Sequence, residues 1–303
     1  MKQSISLVLS LACCLVGRSL QLNSASAQVN PDGTTSTTVD ANGNNFTINQ
    51  GDRVGDNLFH SFEQFSVPTM GEAAFNNASD ISNIISRVTG GNISSIDGLI
   101  RANGNANLIL INPSGINFGA NARLDIGGSF LGSTADSLIF EDGTVFSATD
   151  TQAEPILTIS VPVGLQLGQN SEAIQVTGTG NFGSDLEANP GLAVIPGNTF
   201  ALVGNGITFN GGVVNAESGR IDFGSVAEGE VSITDITTGW QLGSEAVTQF
   251  ADLQLLAESS VGNPNSVSNR DGGIQVQGKN INLERSQITA PTLVDSPGAD
   301  INP

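Results

Sequence analysis

Short apolar runs broken by Gly, Asn, Asp and Ser recur along almost the whole chain, while helical spacing of apolar residues is scarce. Leu108-Ile109-Leu110-Ile111, Ile116-Asn117-Phe118, Leu124-Asp125-Ile126, Ile207-Thr208-Phe209, Ile221-Asp222-Phe223 and Ile281-Asn282-Leu283 are of this kind. In an apolar-polar-apolar triplet the period of a strand sends two side chains to one face and one to the other. The runs also echo one another. Leu108 to Phe118 matches Phe200 to Phe209 with one residue fewer in the turn, and Gly206 to Ala216 followed by Gly219 to Phe223 matches Asn280 to Ala290 followed by Ala299 to Asn302. The second copy has a longer corner, and insertion at a corner with strands retained is how solenoids vary, because each coil packs only on its stacked neighbours. Such short strands and brief connections point to an all-β parallel β-helix rather than a sandwich. Uncharged Asn, Ser and Thr in the corners permit side-chain ladders between coils. One stretch reads two ways: Ile81, Ile84, Ile85 and Val88 form a helix-like face after Ser79-Asp80, or belong to an irregular strand.

Composition narrows the function. The 303 residues carry Lys+Arg 10 against Asp+Glu 29, a net charge of -19. Phosphate binding needs clustered cations that this chain lacks, so nucleic acid is not an expected partner. Charged residues are only 13% and mean hydropathy is +0.04, which does not fit intrinsic disorder. One histidine and two cysteines leave little room for zinc, haem or Cys-His chemistry, and no cofactor or metal site is expected.

The N-terminus accounts for both cysteines. Lys2, the apolar run Ile5 to Val16, and Ala25-Ser26-Ala27 read as a Sec signal peptide over residues 1–27, with Ala25 and Ala27 as the small residues at the cleavage site. The residues before Cys13 are Ser10-Leu11-Ala12, which lack the Leu expected three places before a lipidated cysteine. Cleavage after Ala27 would remove Lys2, Arg18 and both thiols, moving the charge from -19 to -21 and leaving a mature chain that uses no disulfide. The acidity reads as solubility outside the cytoplasm, and no EF-hand or Gly-Gly-x-Gly-x-Asp calcium repeat is present.

Four ordered motifs then carry a family resemblance: Asn57 to Val67 (Asn-Leu-Phe-His-Ser-Phe-Glu-Gln-Phe-Ser-Val), Asn83 to Gly91, Ile96 to Ile100 and Asn107 to Gly119. Together they resemble the filamentous haemagglutinin N-terminal domain, the secretion domain of two-partner secretion exoproteins. The likeness is close over about Gln28 to Phe140 and extends more weakly through Gly219 to Val226. It implies a right-handed parallel β-helix with an N-terminal cap over Val29 to Val67, exported through the Sec translocon and recognised by a cognate outer-membrane β-barrel transporter with periplasmic POTRA-type domains. It further implies a secreted or cell-surface product, a large adhesin whose host or cell-surface ligand is bound by downstream regions. On this reading residues 28–260 form the secretion domain and 261–303 further coils, with the chain ending at Pro303 inside another coil of a longer exoprotein.

The family's Asn-Pro-Asn-Gly-Ile element falls on Asn112-Pro113-Ser114-Gly115-Ile116, with Ser at the third position. Its Asn-Pro-Asn-Leu element falls near Asn77-Ala78-Ser79-Asp80, where only the Asn agrees. The turn chemistry of the first stands independently: Pro113 fixes φ, Asn112 can cap through its side chain and Gly115 tolerates positive φ. Two roles are open for this corner, a structural start for the next coil or a partner-recognition and folding motif. His60, among Phe59, Phe62 and Phe65, reads as a packed structural histidine, and Arg87 and Arg101 as internal salt-bridge partners. The competing reading is a secreted β-helix polysaccharide lyase, hydrolase or carbohydrate-binding protein using carboxylates such as Asp222, Glu228 and Glu230. Sequence spacing establishes no catalytic pair, and the expectation is no enzyme.

Overall fold

The computed structural model describes residues 28–150, 155–180, 191–237, 239–264, 272–290 and 300–302. The expected signal peptide, with Ala25 and Ala27, lies outside them. Every regular element among the described residues is a strand.

Parallel strands stack into the three walls of a β-helix. The main wall runs through Asn57–Phe65, Asn83–Val88, Asn107–Ile111, Phe130–Ser133, Thr199–Gly204, the first residues of Arg220–Ile236, Gly273–Gln277 and Asp300–Asn302. A second wall holds Ser94–Ile96, Ile116–Phe118, Ile174–Thr177, Ile207–Asn210, Leu253–Leu256 and Ile281–Leu283. A third begins with Asn45–Asn49, Glu72–Phe75, Leu99–Ala102 and Arg123–Asp125. It continues as a separate sheet in Leu192–Ala193, Val213–Asn215, Ser260–Gly262 and Gln287–Thr289. The echoed segments occupy equivalent places: 107–111 and 116–118 lie on the same two walls as 199–204 and 207–210. The stretch that read as helix or strand is the strand Asn83–Val88.

The first coil is closed by antiparallel pieces. Val29–Pro31 pairs with the end of Asn57–Phe65, Asp52–Val54 with its beginning, and Thr38–Asn42 folds back on Asn45–Asn49. They cover strand edges that would otherwise present unpaired backbone groups.

Two excursions leave the helix, both at the corner between the main and second walls. One, after Ser133, forms Ser137–Phe140, Val145–Ser147 and Pro162–Leu167. The other extends Arg220–Ile236 to 17 residues and returns along Gly239–Phe250. Pro162–Leu167 pairs antiparallel with Gly229 to Ser232, so the excursions join in one antiparallel sheet over the outside of the main wall. The wall is therefore buried on both faces. Leu58, Ile84, Leu108, Phe130 and Phe200 point into the helix, while Phe59, Ile85, Ile109, Leu131 and Ala201 point out beneath Leu138, Phe140, Phe146, Leu165 and Trp240. Burial on both faces explains why Leu108 to Ile111 is continuously apolar, whereas the triplets of the other walls alternate.

Candidate functional site

The corner Asn112 to Ile116 is interior. Asn112 is 0% exposed, and its carboxamide donates to the Asn92 carbonyl and to Ser94 Oγ, each at 2.9 Å, while Oδ1 accepts the Ser114 N–H at 3.0 Å. The Gly115 N–H closes the turn on the Asn112 carbonyl at 3.0 Å. Gly115 has φ +110, and a Cβ there would lie 3.3 Å from the Ala173 carbonyl oxygen.

Above this turn the first excursion departs and returns. The Asn112 N–H donates to the Ser133 carbonyl at 2.8 Å, where the chain leaves the helix. The Glu172 N–H donates to the Pro113 carbonyl at 2.8 Å, where it comes back. The turn at Gly204–Gly206 closes the returning segment from the other side: Asn205 donates from its N–H to the Glu172 carbonyl at 3.2 Å and from its carboxamide to the Ser171 carbonyl at 2.9 Å. Backbone groups that a corner would normally leave to solvent are paired with the coils on either side.

Asn77 stands at another corner, between the third and main walls, and the structure does not bring it to Asn112. It pairs with Asn103 of the next coil: each carboxamide donates to the other residue's carbonyl, at 2.9 and 3.1 Å, and Asn77 Oδ1 accepts the Asn103 N–H at 2.9 Å. Such mutual satisfaction suits a position only 6% exposed. A further ladder, of the kind that uncharged corner residues permit, links three coils through residues not singled out for it in the sequence. Asn83 Nδ2 donates to Asn57 Oδ1 and Asn107 Nδ2 to Asn83 Oδ1, both at 3.0 Å, across separations of 26 and 24 residues. Asn107 Oδ1 accepts the Ser129 N–H at 2.8 Å at one end, and Asn57 Nδ2 reaches the Thr158 and Ser160 carbonyls at the other. The signal was the same residue opening three of the four motifs.

His60 is 1% exposed, lies 3.0 Å from Thr37 Oγ1 and packs against Phe62 and Phe75. Burial pushes its imidazole down to about 4, against the pull of Asp52. Arg101 forms the expected internal ion pairs, with Glu72 at 3.2 Å and Asp125 at 2.8 Å. Arg87 is held mainly by neutral groups: Ser61 Oγ at 2.8 Å, Thr34 Oγ1 at 2.9 Å, the Ser147 carbonyl, and the Phe146 ring 4.5 Å away. Asp32 and Asp150 supply favourable charge. Its site lies where cap, first coils and excursion meet, and among the described residues hydroxyl, carbonyl and ring partners take the place of the internal salt bridge expected for it.

The carboxylates considered for catalysis do not converge. Asp222 is 0% exposed, 2.8 Å from Arg220 Nε, and accepts the Leu242 N–H at 2.8 Å. Burial pushes its carboxyl up, opposed by Arg220. Glu228 is exposed on the excursion, and Glu230 is half-buried beside Gly164. A groove of about 650 Å³ runs along the Asn ladder and contains Asp56, Asp235 and Trp240, but none of these three carboxylates.

A family model described as the TPS secretion domain matches residues 27–276. No curated protein matches the chain. Among solved structures, the HMW1 secretion domain from Haemophilus influenzae is 17% identical, with TM-score 0.48, over 88% of this chain and 71% of that one. A filamentous hemagglutinin secretion domain is also 17% identical, with TM-score 0.37, over 90% of this chain and 98% of that one. The family match spans well over half of the residues, and the chain belongs to the TPS secretion domain family.

Proposed function

We propose that this domain is the export address of a two-partner secretion exoprotein: the signal peptide delivers the chain through the Sec translocon, a cognate outer-membrane β-barrel with POTRA-type periplasmic domains admits it, and the coils then fold outside. The reading extends to a surface or secreted adhesin whose ligand is held by regions downstream, with residues 261–303 continuing the shaft. Its support is membership of the secretion-domain family over residues 27–276.

Within it, Asn112 to Ile116 serves as a folding motif rather than an exposed contact. The observation that carries this is the completely buried Asn112 side chain, bonded to the coil below, under a turn whose carbonyl and N–H groups hold both ends of the first excursion. Replacing Asn112 by Ala strands the Ser94 hydroxyl, the Asn92 carbonyl and the Ser114 N–H, at a cost of about 1–3 kcal/mol. The test expresses the precursor with and without its barrel. Export is expected only with the barrel, and Asn112→Ala should lower both Tm and export, with Asn77→Ala doing so at its own corner. Barrel-independent export would overturn the export reading. Loss of export for Asn112→Ala with an unchanged Tm would instead make the corner a recognition element.

A further inference from the structure

The chain holds four Asn–Gly dipeptides, at 42–43, 103–104, 205–206 and 210–211. This sequence favours a spontaneous reaction because glycine presents no side chain to hinder its amide nitrogen. In that reaction the glycine nitrogen attacks the asparagine Cγ, a new N–Cγ bond forms, the Cγ–Nδ2 bond breaks and ammonia leaves. Water then opens the cyclic imide at either carbonyl, leaving aspartate or a β-linked isoaspartate. No oxidant or reductant takes part.

The fold treats the four unequally. Asn103 is locked in the reciprocal pair with Asn77, its carboxamide donating to the Asn77 carbonyl at 3.1 Å, and Gly104 lies against the Ser79 carbonyl. The Asn205 carboxamide is held by the Ser171 carbonyl, and the attacking N–H of Gly206 is bonded to the Gly204 carbonyl at 2.9 Å. At 210–211 the nucleophile is again engaged, since the Gly211 N–H donates to the Leu256 carbonyl at 3.0 Å. Asn210 is also fixed between parallel strands on both sides.

Asn42 and Gly43 stand apart. They sit at the tip of the hairpin formed by Thr38–Asn42 and Asn45–Asn49, where both are exposed. Gly43 has φ +60 with no atom within 4 Å of where a Cβ would stand. Among the described residues no side-chain hydrogen bond holds the Asn42 carboxamide.

We propose that Asn42 is a self-modification site of the N-terminal cap, converting to aspartate and isoaspartate while the other three Asn–Gly pairs stay intact in the folded protein. The product adds a negative charge on the strand that carries Asp40, whose carboxylate accepts from Asn49 at 3.0 Å. The β-linkage also inserts a backbone carbon beside Asn44, whose carbonyl accepts the Glu72 N–H at 3.1 Å and ties the hairpin to the next coil.

The experiment ages the purified folded protein at mildly alkaline pH and maps its peptides by mass spectrometry, with an isoaspartate-specific methyltransferase reporting the β-linked product. A sample aged in denaturant exposes all four pairs equally. Sites that react only through local opening should lag Asn42 by at least about tenfold in the folded protein, and the four rates should converge in denaturant. Asn42→Gln should remove nearly all methyltransferase labelling from the folded sample. Reaction at position 103, 205 or 210 as fast as at Asn42 would overturn the proposal. So would a folded protein in which all four sites are inert while the denatured chain reacts.

Discussion

His60 shows what burial does to a single titratable group in this fold. With its imidazole held at about 4 instead of the ordinary 6.5, the folded protein keeps the ring neutral across the neutral range. The unfolded chain takes up a proton near 6.5, so its contribution to stability is intact above that pH. It is lost progressively as pH falls toward 4 and changes no further below. The gap between the two values amounts to about 3 kcal/mol when fully developed. Wild-type Tm should therefore fall more steeply between pH 6.5 and 4 than that of His60→Gln, with parallel curves outside the window. Equal slopes would mean that the ring is hydrated in the native state. Asp32 illustrates the opposite balance: burial pushes its carboxyl up, yet donors from Ser61, Thr34 and Thr89 outweigh burial and hold it below the ordinary carboxylate range.

At the scale of strands and corners, stacking turns one residue into a column. Asn83 is the middle rung between Asn57 and Asn107, and Asn83→Ala would remove the partner of Asn57 Oδ1 and of Asn107 Nδ2 together. A loss of about 1–3 kcal/mol is expected for the stranded groups. Denaturant melting of the single variant against wild type measures it, and a change within error would show that water replaces the rung. The walls themselves were legible, because triplets such as Ile116-Asn117-Phe118 and Ile207-Thr208-Phe209 each bury two side chains and free one, and their echoes mark the coil. The corner at Asn112 was legible through Pro113 and Gly115. Less so was the outer sheet. Val226 to Phe250 alternates like any half-buried strand, and nothing local says that its partner is Pro162–Leu167 rather than the next coil. Pairing across such separations is a property of the assembled wall, not of either segment. Asp222 was misleading for the same reason: between Ile221 and Phe223 it reads as outward and solvated, whereas outward on this wall means under the second excursion, against Arg220 and Leu242.

Over the whole molecule, the two cores differ in when they can form along the chain. The inner core grows coil by coil, since each parallel strand needs only its neighbour. The outer core cannot do so. Phe59, Ile85, Ile109 and Leu131 are covered by Leu138, Phe140, Phe146 and Leu165, and the strand carrying Leu165 is anchored on its far side by Gly229 to Ser232. A chain that has folded only as far as the third-wall strand Val213–Asn215 thus has its inner coils paired while the first excursion lacks an anchor. Contacts this distant in sequence form slowly, and the exposed apolar row is sticky in the interval. A chain ended after residue 217 should retain the circular dichroism of β-structure yet bind a hydrophobic dye strongly, and one ended after residue 264 should bind little. In the longer chain Leu165→Ala should restore part of the dye binding and cost about 2–5 kcal/mol, the range for emptying a leucine-sized site in a packed core. Low dye binding by the shorter chain would show that the first excursion covers the wall without its anchor. The anchored sheet thus acts as a final check on folding: the apolar face of the first coils is sealed only after the second excursion has arrived.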